Sequence, residues 1–112
     1  MNTTTPTPAD ILNRAADLVK AGWTQHSLAI DAQGKNVDYR SADVVKVCLV
    51  GALDRAGFML GSERFEPTHR AAEDLLNRAL PDICIVSWNN DPARQQSEVV
   101  ELLRKCAQRC SD

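Results

Sequence analysis

Aromatic side chains are scarce in this chain of 112 residues, which holds two phenylalanines, two tryptophans and one tyrosine. A core with so few rings has to be filled by Leu, Val, Ile and Ala, which suits closely packed helices. Apolar residues make up 44% and charged residues 25%, as in ordinary globular domains. The length fits one domain. We therefore predict a single helical domain over residues 7–112, preceded by a disordered polar tail at residues 1–6.

Long apolar runs and a strong excess of charge are missing as well. No segment reaches the roughly 18 apolar residues of a membrane helix, and the first residues lack the basic and apolar regions of a signal peptide. The net charge is −2, without the basic excess that is typical of nucleic-acid-binding proteins. These absences predict a small acidic cytoplasmic protein without a membrane or nucleic-acid partner.

The sequence motifs that are typical of common enzyme classes are absent: a Gly-rich phosphate loop, G-x-S-x-G and H-E-x-x-H. Four cysteines, Cys48, Cys84, Cys106 and Cys110, are expected to be reduced in the cytoplasm. Cys106 and Cys110 are spaced to share a helix face, but no second close pair of metal ligands accompanies them. The sequence therefore predicts core cysteines, with no metal, no cofactor and no catalytic residue.

The segment Ser41–Gly57 is the most informative part of the chain because it is apolar on nearly every side when it is drawn as a helix. Such a helix must be surrounded by its neighbours. We predict that Ser41 caps this helix and that it forms the centre of the fold. Gly51 costs up to about 1 kcal/mol relative to Ala inside a helix, so it predicts a close helix crossing.

Three further helices are predicted from their caps and their apolar spacing. Thr7 is expected to cap the first helix, with Gly22 at its end. Another helix runs from Pro67 to Pro81. Asp91, followed by Pro92, is expected to open the C-terminal helix.

Between these helices, Leu28–Ile30 and Asn36–Tyr39 flank a turn at Gly34, which predicts a short β-hairpin, with an irregular loop as the alternative. The segment Ile83–Val86 is too short to distinguish a strand from a buried loop. The predicted fold is mainly α: a compact four-helix domain around a buried central helix, with a short β-hairpin.

Three elements carry a resemblance to a known family: Gly22-Trp23, the run C-L-V-G-A-L from Cys48 to Leu53, and W-N-N-D from Trp88 to Asp91. Over residues 9–107 they resemble a small domain of unknown function found in bacterial and bacteriophage proteins, although this chain has an extra Asn in the last element. The resemblance implies a mostly helical single domain and a phage or prophage origin. It supplies no activity, ligand or catalytic residue.

The candidate binding residues fall in two groups. Trp88, Asn89 and Asn90 could form a recognition surface; alternatively, Trp88 fills the core while the polar residues form a turn and a cap. On the third helix, Glu73 and Asp74 could imitate phosphate towards a nucleic-acid-binding protein. A helix-turn-helix interpretation would make His69, Arg70 and Arg78 face phosphate, but its connection is too long and the charge is acidic.

These observations predict a small protein-interaction module, an accessory or inhibitory protein of a phage or mobile element that covers the surface of an unidentified host protein. One alternative is a small-ligand binder or enzyme with a pocket at the hairpin and the Trp88–Asp91 loop. Another is a self-associating structural protein, a homodimer paired through apolar surface on the C-terminal helix.

Overall fold

The computed structural model describes residues 5–110; most of the predicted tail 1–6, residues 111–112 and the side chain of Cys110 lie outside the described part. Mainly helical structure with one small antiparallel hairpin, as predicted, is confirmed. The elements in chain order are α1 Pro8–Ala21, β1 Ala29–Ile30, β2 Lys46–Val47, α2 Leu49–Met59, α3 Pro67–Ala79, α4 Ile85–Asn89 and α5 Gln96–Cys110.

The core lies between α1, α2, α3 and α5. The α1 helix packs most extensively along α5 and also touches α2, α3 and β2. The α2 helix contacts α1, α3, α4 and β2, so it has neighbours on most sides, as its apolar sequence predicts. The largest fully buried side chains are aliphatic almost throughout, as the scarcity of aromatic residues requires: Ile11, Leu12, Val19, Val47, Leu49, Leu53, Leu76, Val99 and Leu103.

The predicted cap of α1 is confirmed in detail. The Thr7 hydroxyl accepts a hydrogen bond from the Asp10 N–H at 3.1 Å, and the Asp10 carboxylate accepts one from the Thr7 N–H at 2.9 Å. This reciprocal pair satisfies two backbone donors that a helix start leaves free. Gly22 ends the helix, with its N–H donating to the carbonyl of Leu18.

The predicted start of the central helix at Ser41 is wrong. The helix begins at Leu49, and Lys46–Val47 forms a strand that pairs antiparallel with Ala29–Ile30. Branched side chains in this segment favour extended backbone, and the pairing satisfies its hydrogen bonds. The helix is capped by Cys48, whose Sγ accepts from the Gly51 N–H at 3.3 Å.

The predicted hairpin exists with a different partner strand. β1 pairs with β2, which follows it by some fifteen residues, while Asn36 makes only one bridge to Ile30 and the Val37 N–H donates to the Ala29 carbonyl at 3.1 Å. Asp31 and Gly34 still form the predicted turn, with Gly34 at φ 81°.

The close approach predicted at Gly51 is confirmed, but the predicted helix crossing is wrong, because the neighbour is Leu28 in the segment just before β1. A Cβ atom on Gly51 would overlap the carbonyl oxygen of Leu28. That carbonyl also accepts a hydrogen bond from the Cys48 N–H at 3.1 Å. Only a residue without a side chain lets the chain before β1 lie so close to the first turn of α2.

The C-terminal half contains one helix more than predicted. Ile85–Asn89 forms the short helix α4 in the region that the sequence left undecided. Asp91 does not cap α5, because that helix begins at Gln96. The carboxylate of Asp91 instead accepts a hydrogen bond from the Ala93 N–H at 2.9 Å and closes a turn. The Asp91 side chain thus bonds to a nearby backbone N–H, as a cap residue does, but this bond stabilises the turn between α4 and α5. The third helix, α3, runs as predicted from Pro67.

Among the described residues, no helix is both long enough and apolar enough to cross a membrane.

We expect Gly51→Ala to lower the free energy of unfolding by about 3 kcal/mol, because the new methyl group overlaps a backbone oxygen that cannot move without breaking the strand contact. Urea denaturation measures this effect. Gly34→Ala is the matched control: its position has φ 81° but open space around it, so only the left-handed conformation is penalised, by about 1 kcal/mol. Equal losses in the two variants would contradict the steric argument.

Candidate functional site

Asn89 is a buried polar hub, with only 1% of its surface exposed. Its Oδ1 accepts from the Trp23 Nε1–H at 2.8 Å and from the Leu49 N–H at 3.1 Å. Its Nδ2 donates to the Thr24 carbonyl at 3.3 Å and to the Asn90 Oδ1 at 3.0 Å. Two donors and two acceptor bonds fill the capacity of the amide. Asn89 thereby ties α4 to the segment after α1 and to the start of α2.

Asn90 and Gln25 add hydrogen bonds that join the end of α4 to the segment after α1 nearer the surface. The Asn90 Oδ1 accepts from the His26 N–H at 2.8 Å, and the Gln25 amide donates to the carbonyls of Asn89 and Asp91 at 2.9 and 2.8 Å. His26 has φ 69°, a left-handed conformation that costs a non-glycine residue roughly 1–2 kcal/mol. The side chain of Asn90 therefore helps to hold a strained turn in place.

Trp88 is half-buried against the core, and its other face is covered by an arginine. The guanidinium of Arg94 lies 3.8 Å from the centre of the indole, and its Nε donates to the Trp88 carbonyl at 2.9 Å. Arg94 also lies near the carboxylates of Asp91 and Glu98, at 3.9 and 3.4 Å. The indole is thus already engaged on both sides, by the core and by a cation.

A cleft of about 180 Å³ opens where α4, the start of α2 and the chain before β1 meet. We call it the aliphatic cleft. Leu28, Val50 and Val86 line it, and two buried residues, Cys48 and Asn89, lie at its base. The polar residues along it are His26, Ser27 and Asn90, and it has no Asp, Glu, Lys or Arg. It lies beside the hairpin and the Trp88–Asp91 loop, where the sequence places its alternative pocket.

Leu28 is an apolar residue at the surface whose backbone is fixed by contacts with α2. Its backbone is fixed against α2 through the Cys48 N–H and the contact with Gly51, yet 46% of the residue is exposed. Besides the aliphatic cleft it lines two other depressions, one with Val37 and one reaching Phe65. Leu28 therefore stands where three concave surfaces meet.

The acidic candidates lie elsewhere. Asp74 is exposed on α3, pairs with Arg78 at 3.4 Å and lines a separate depression beside the start of α1. Glu73 is half-buried, and neither residue lines a depression that contains Leu28. An exposed pair of this kind contributes little to stability. The structure thus brings Asn89 and Asn90 to one cleft and leaves Glu73 and Asp74 apart from it.

His69 does not face solvent, so it cannot contact phosphate as the helix-turn-helix interpretation requires. It is 2% exposed, and its Nε2 lies 3.2 Å from Oδ1 of the buried Asp54. No hydrogen bond forms across this contact, and among the described residues neither imidazole nitrogen of His69 has a hydrogen-bond partner. The Nε of Arg64 lies 3.8 Å from the same carboxylate. Gly57 leaves room for the imidazole, because a Cβ there would press against its Cδ2.

The three cysteines whose side chains are described differ in exposure. Cys48 and Cys106 are buried, as predicted, whereas Cys84 is exposed, so the predicted core position is wrong for Cys84. Burial raises the pKa of the Cys48 thiol, whereas a hydrogen bond with the Ser87 hydroxyl, at 3.2 Å, is the main cause that lowers the pKa of Cys84. Over residues 5–109, no three His, Cys, Asp or Glu side chains come together as a set of metal ligands.

Comparison with known proteins gives one match. The sequence model of a family of unknown function, DUF6197, covers residues 3–109. No curated protein and no solved structure matches the chain.

We expect Asn89→Ala to lower the free energy of unfolding by about 3 kcal/mol, because the Trp23 and Leu49 donors lose their buried acceptor and each unsatisfied group costs about 1–3 kcal/mol. Thermal and urea unfolding measure the loss. Asn77→Ala, on the exposed face of α3, is the matched control and should stay within about 0.5 kcal/mol of the parent protein. A loss at Asn89 as small as that of the control would rule out its role as a hub.

We expect Cys84 to react with iodoacetamide before Cys48 in the folded protein, because the thiolate is the reactive form and is favoured only at the exposed site. Peptide mapping by mass spectrometry across a pH series gives the rate for each cysteine. Ser87→Ala removes the stabilising hydroxyl, so the Cys84 profile should move to higher pH while Cys48 stays protected. An unchanged Cys84 profile in this variant would contradict the assignment.

Proposed function

Because the chain belongs to DUF6197, a family of unknown function, its activity has to be inferred from its own geometry, and we propose that it is a protein-interaction module. The observation that carries the proposal is Leu28, an apolar side chain held half-exposed on a fixed backbone where three depressions meet. Because the backbone of Leu28 is already fixed in the fold, binding there orders no further main chain, which increases the affinity that a given contact yields.

The surface around Leu28 offers further apolar area. Val86, across the aliphatic cleft, is 50% exposed, and Phe65, at the end of a neighbouring depression, is 84% exposed. Exposed apolar side chains that lie together, rather than singly, are typical of protein-binding surfaces. Tyr39, Arg40 and Arg64 line the same depression as Phe65, and tyrosine and arginine are enriched where binding energy concentrates.

The strained turn at His26 supports the same surface. Left-handed non-glycine residues persist only where their surroundings hold them, and they cluster at functional sites. His26 lies two residues before Leu28, and its N–H donates to the side chain of Asn90. The strained residue His26 therefore lies close in the chain to Leu28, which the proposal places at the centre of binding.

In this proposal the protein acts by covering part of its partner, as an accessory or inhibitory protein does, and needs no reaction of its own. The competing self-association through the C-terminal helix has less support. In the part of the chain that the structure describes, none of the large exposed apolar side chains lies on α5. They are Leu28, Val45, Phe58, Met59, Phe65, Ile83 and Val86. This distribution favours the Leu28 surface over a dimer through α5.

We expect Leu28→Asp to abolish binding of the partner protein, because the carboxylate replaces apolar contact area and would lose its hydration when the partner covers it. Affinity capture from a bacterial lysate identifies the partner, and titration of the purified pair measures the affinity. Val45→Asp is the matched control: Val45 has nearly the same exposure, 48%, and lines none of the three depressions.

A partner that is lost with Leu28→Asp and kept with Val45→Asp supports the module. If both variants still bind the partner, the interaction does not involve Leu28. Sedimentation of the parent protein tests the alternative of self-association through α5, because such a dimer would appear as mass that rises with concentration and stays the same in the Leu28 variant.

A further inference from the structure

We propose that Asp54, although it is buried, is a positioning residue that fixes how Arg64 and Phe65 are presented on the binding surface. This inference rests on the proposed function, because Arg64 and Phe65 line one of the three depressions that contain Leu28. Three observations lead to it: the burial of Asp54, the place of its partners in the fold, and the weak attachment of the segment that carries Phe65.

Asp54 is a buried acid in the largely apolar helix α2. A carboxylate in such a place loses its hydration, so it needs a partner of opposite charge. Its Oδ1 lies 3.2 Å from the His69 Nε2, without a hydrogen bond, and its Oδ2 lies 3.8 Å from the Arg64 Nε. Because a guanidinium is charged at every physiological pH, Arg64 is the lasting counter-ion of this carboxylate.

The contacts of Asp54 reach the connection between α2 and α3, residues 60–66. Asp54 belongs to α2, Arg64 lies in the connection, and His69 lies in the first turn of α3. One buried carboxylate thus lies between the two helices and the segment that joins them. The guanidinium of Arg64 is 5.8 Å from the centre of the Phe65 ring. An arginine that pairs with Asp54 therefore also orients the adjacent ring by a cation–π contact.

The exposed part of the connection, residues 63–66, contains no buried side chain. Two polar side-chain contacts attach it to the rest of the described chain: the pair of Arg64 with Asp54, and Glu63, whose Oε1 accepts from the Tyr39 hydroxyl at 3.2 Å. Of these two contacts, only the one with Asp54 reaches a buried group. Segments with few buried apolar contacts open at a low cost in free energy, so the order of this segment depends strongly on Asp54.

Amide hydrogen exchange of the intact protein, followed by NMR, tests this inference without a partner. The Glu66 N–H, which donates to the Glu63 carbonyl at 2.9 Å, reports on the order of residues 63–66. Asp54→Asn removes the charge with little change in shape, and Arg64→Gln removes the counter-ion from an exposed position. Each variant should raise the exchange rate of this amide by about fivefold. The double variant should exchange no faster than the faster single variant, because both changes remove the same contact.

Asp74→Asn is the matched control, because Asp74 forms an exposed pair with Arg78 at 3.4 Å on α3. It should leave the Glu66 amide at the parent rate. The amide of Leu103, in the core, detects a general loss of stability and should not change in Arg64→Gln. If Arg64→Gln raises the exchange of Glu66 no more than the control does, the inference is wrong.

Binding supplies the second readout. Asp54→Asn should weaken the affinity for a partner that depends on Leu28 by about fivefold, although a buried residue does not touch the partner. In a Phe65→Ala background the same change should cause no further loss, because the ring that Asp54 positions is gone. A purely structural role would weaken binding equally in both backgrounds and would overturn the inference.

Failure of this inference differs from failure of the proposed function. If the Leu28-dependent partner binds Asp54→Asn as tightly as the parent protein, the module stands and the positioning role is wrong. If no partner depends on Leu28, the proposed function fails, and the exchange rates alone decide whether Asp54 fixes the segment with Arg64 and Phe65.

Discussion

The contact between the chain before β1 and the first turn of α2 is the constraint on which the rest of the structure depends. The Leu28 carbonyl lies against Gly51 and accepts from the Cys48 N–H. This contact determines where the helix can begin, since the preceding residues must stay extended to pair with β1. It also places Leu49 so that its N–H reaches Asn89, which in turn holds Trp23. The absence of a side chain at Gly51 thus permits the strand pairing, the start of α2 and the polar hub at Asn89.

How far the sequence predicts this fold depends on how local the signals are. The Thr7 cap and the Pro67 start act within one turn of helix, so a single sequence is enough to find them. The start of α2 is different. Residues 41–48 have helical apolar spacing, but Lys46 and Val47 pair with a strand that lies more than fifteen residues earlier, and tertiary pairing outweighs local preference. Gly51 indicates a close approach without naming the neighbour, for the same reason.

In the candidate site, too, the sequence shows the local features and not the tertiary contacts. The segment Trp88–Asp91 stands out in the sequence, and the structure does place Asn89 and Asn90 at a cleft. Their partners, however, are 40 to 66 residues away, and nothing in the local pattern indicates that the amides are directed inwards. Leu28 and Val86 were missed because exposure of an aliphatic residue is a tertiary property, with no signature in composition or spacing. The buried pair of Asp54 and His69 had one signal: Asp54 is an isolated acid in a largely apolar helix.

Because the walls of the aliphatic cleft come from three separate parts of the chain, the cleft exists only in the folded state. Val50 belongs to α2, Val86 to α4 and Leu28 to the segment before β1, and the hub at Asn89 holds all three together. Any group that binds there must therefore stabilise the folded domain by mass action, by about 2.7 kcal/mol at a hundred times its dissociation constant. The converse also holds: a change that loosens the hub reduces the population able to bind, even if no lining residue is altered. Under the proposed function, stability and recognition are thus coupled through the buried amide of Asn89.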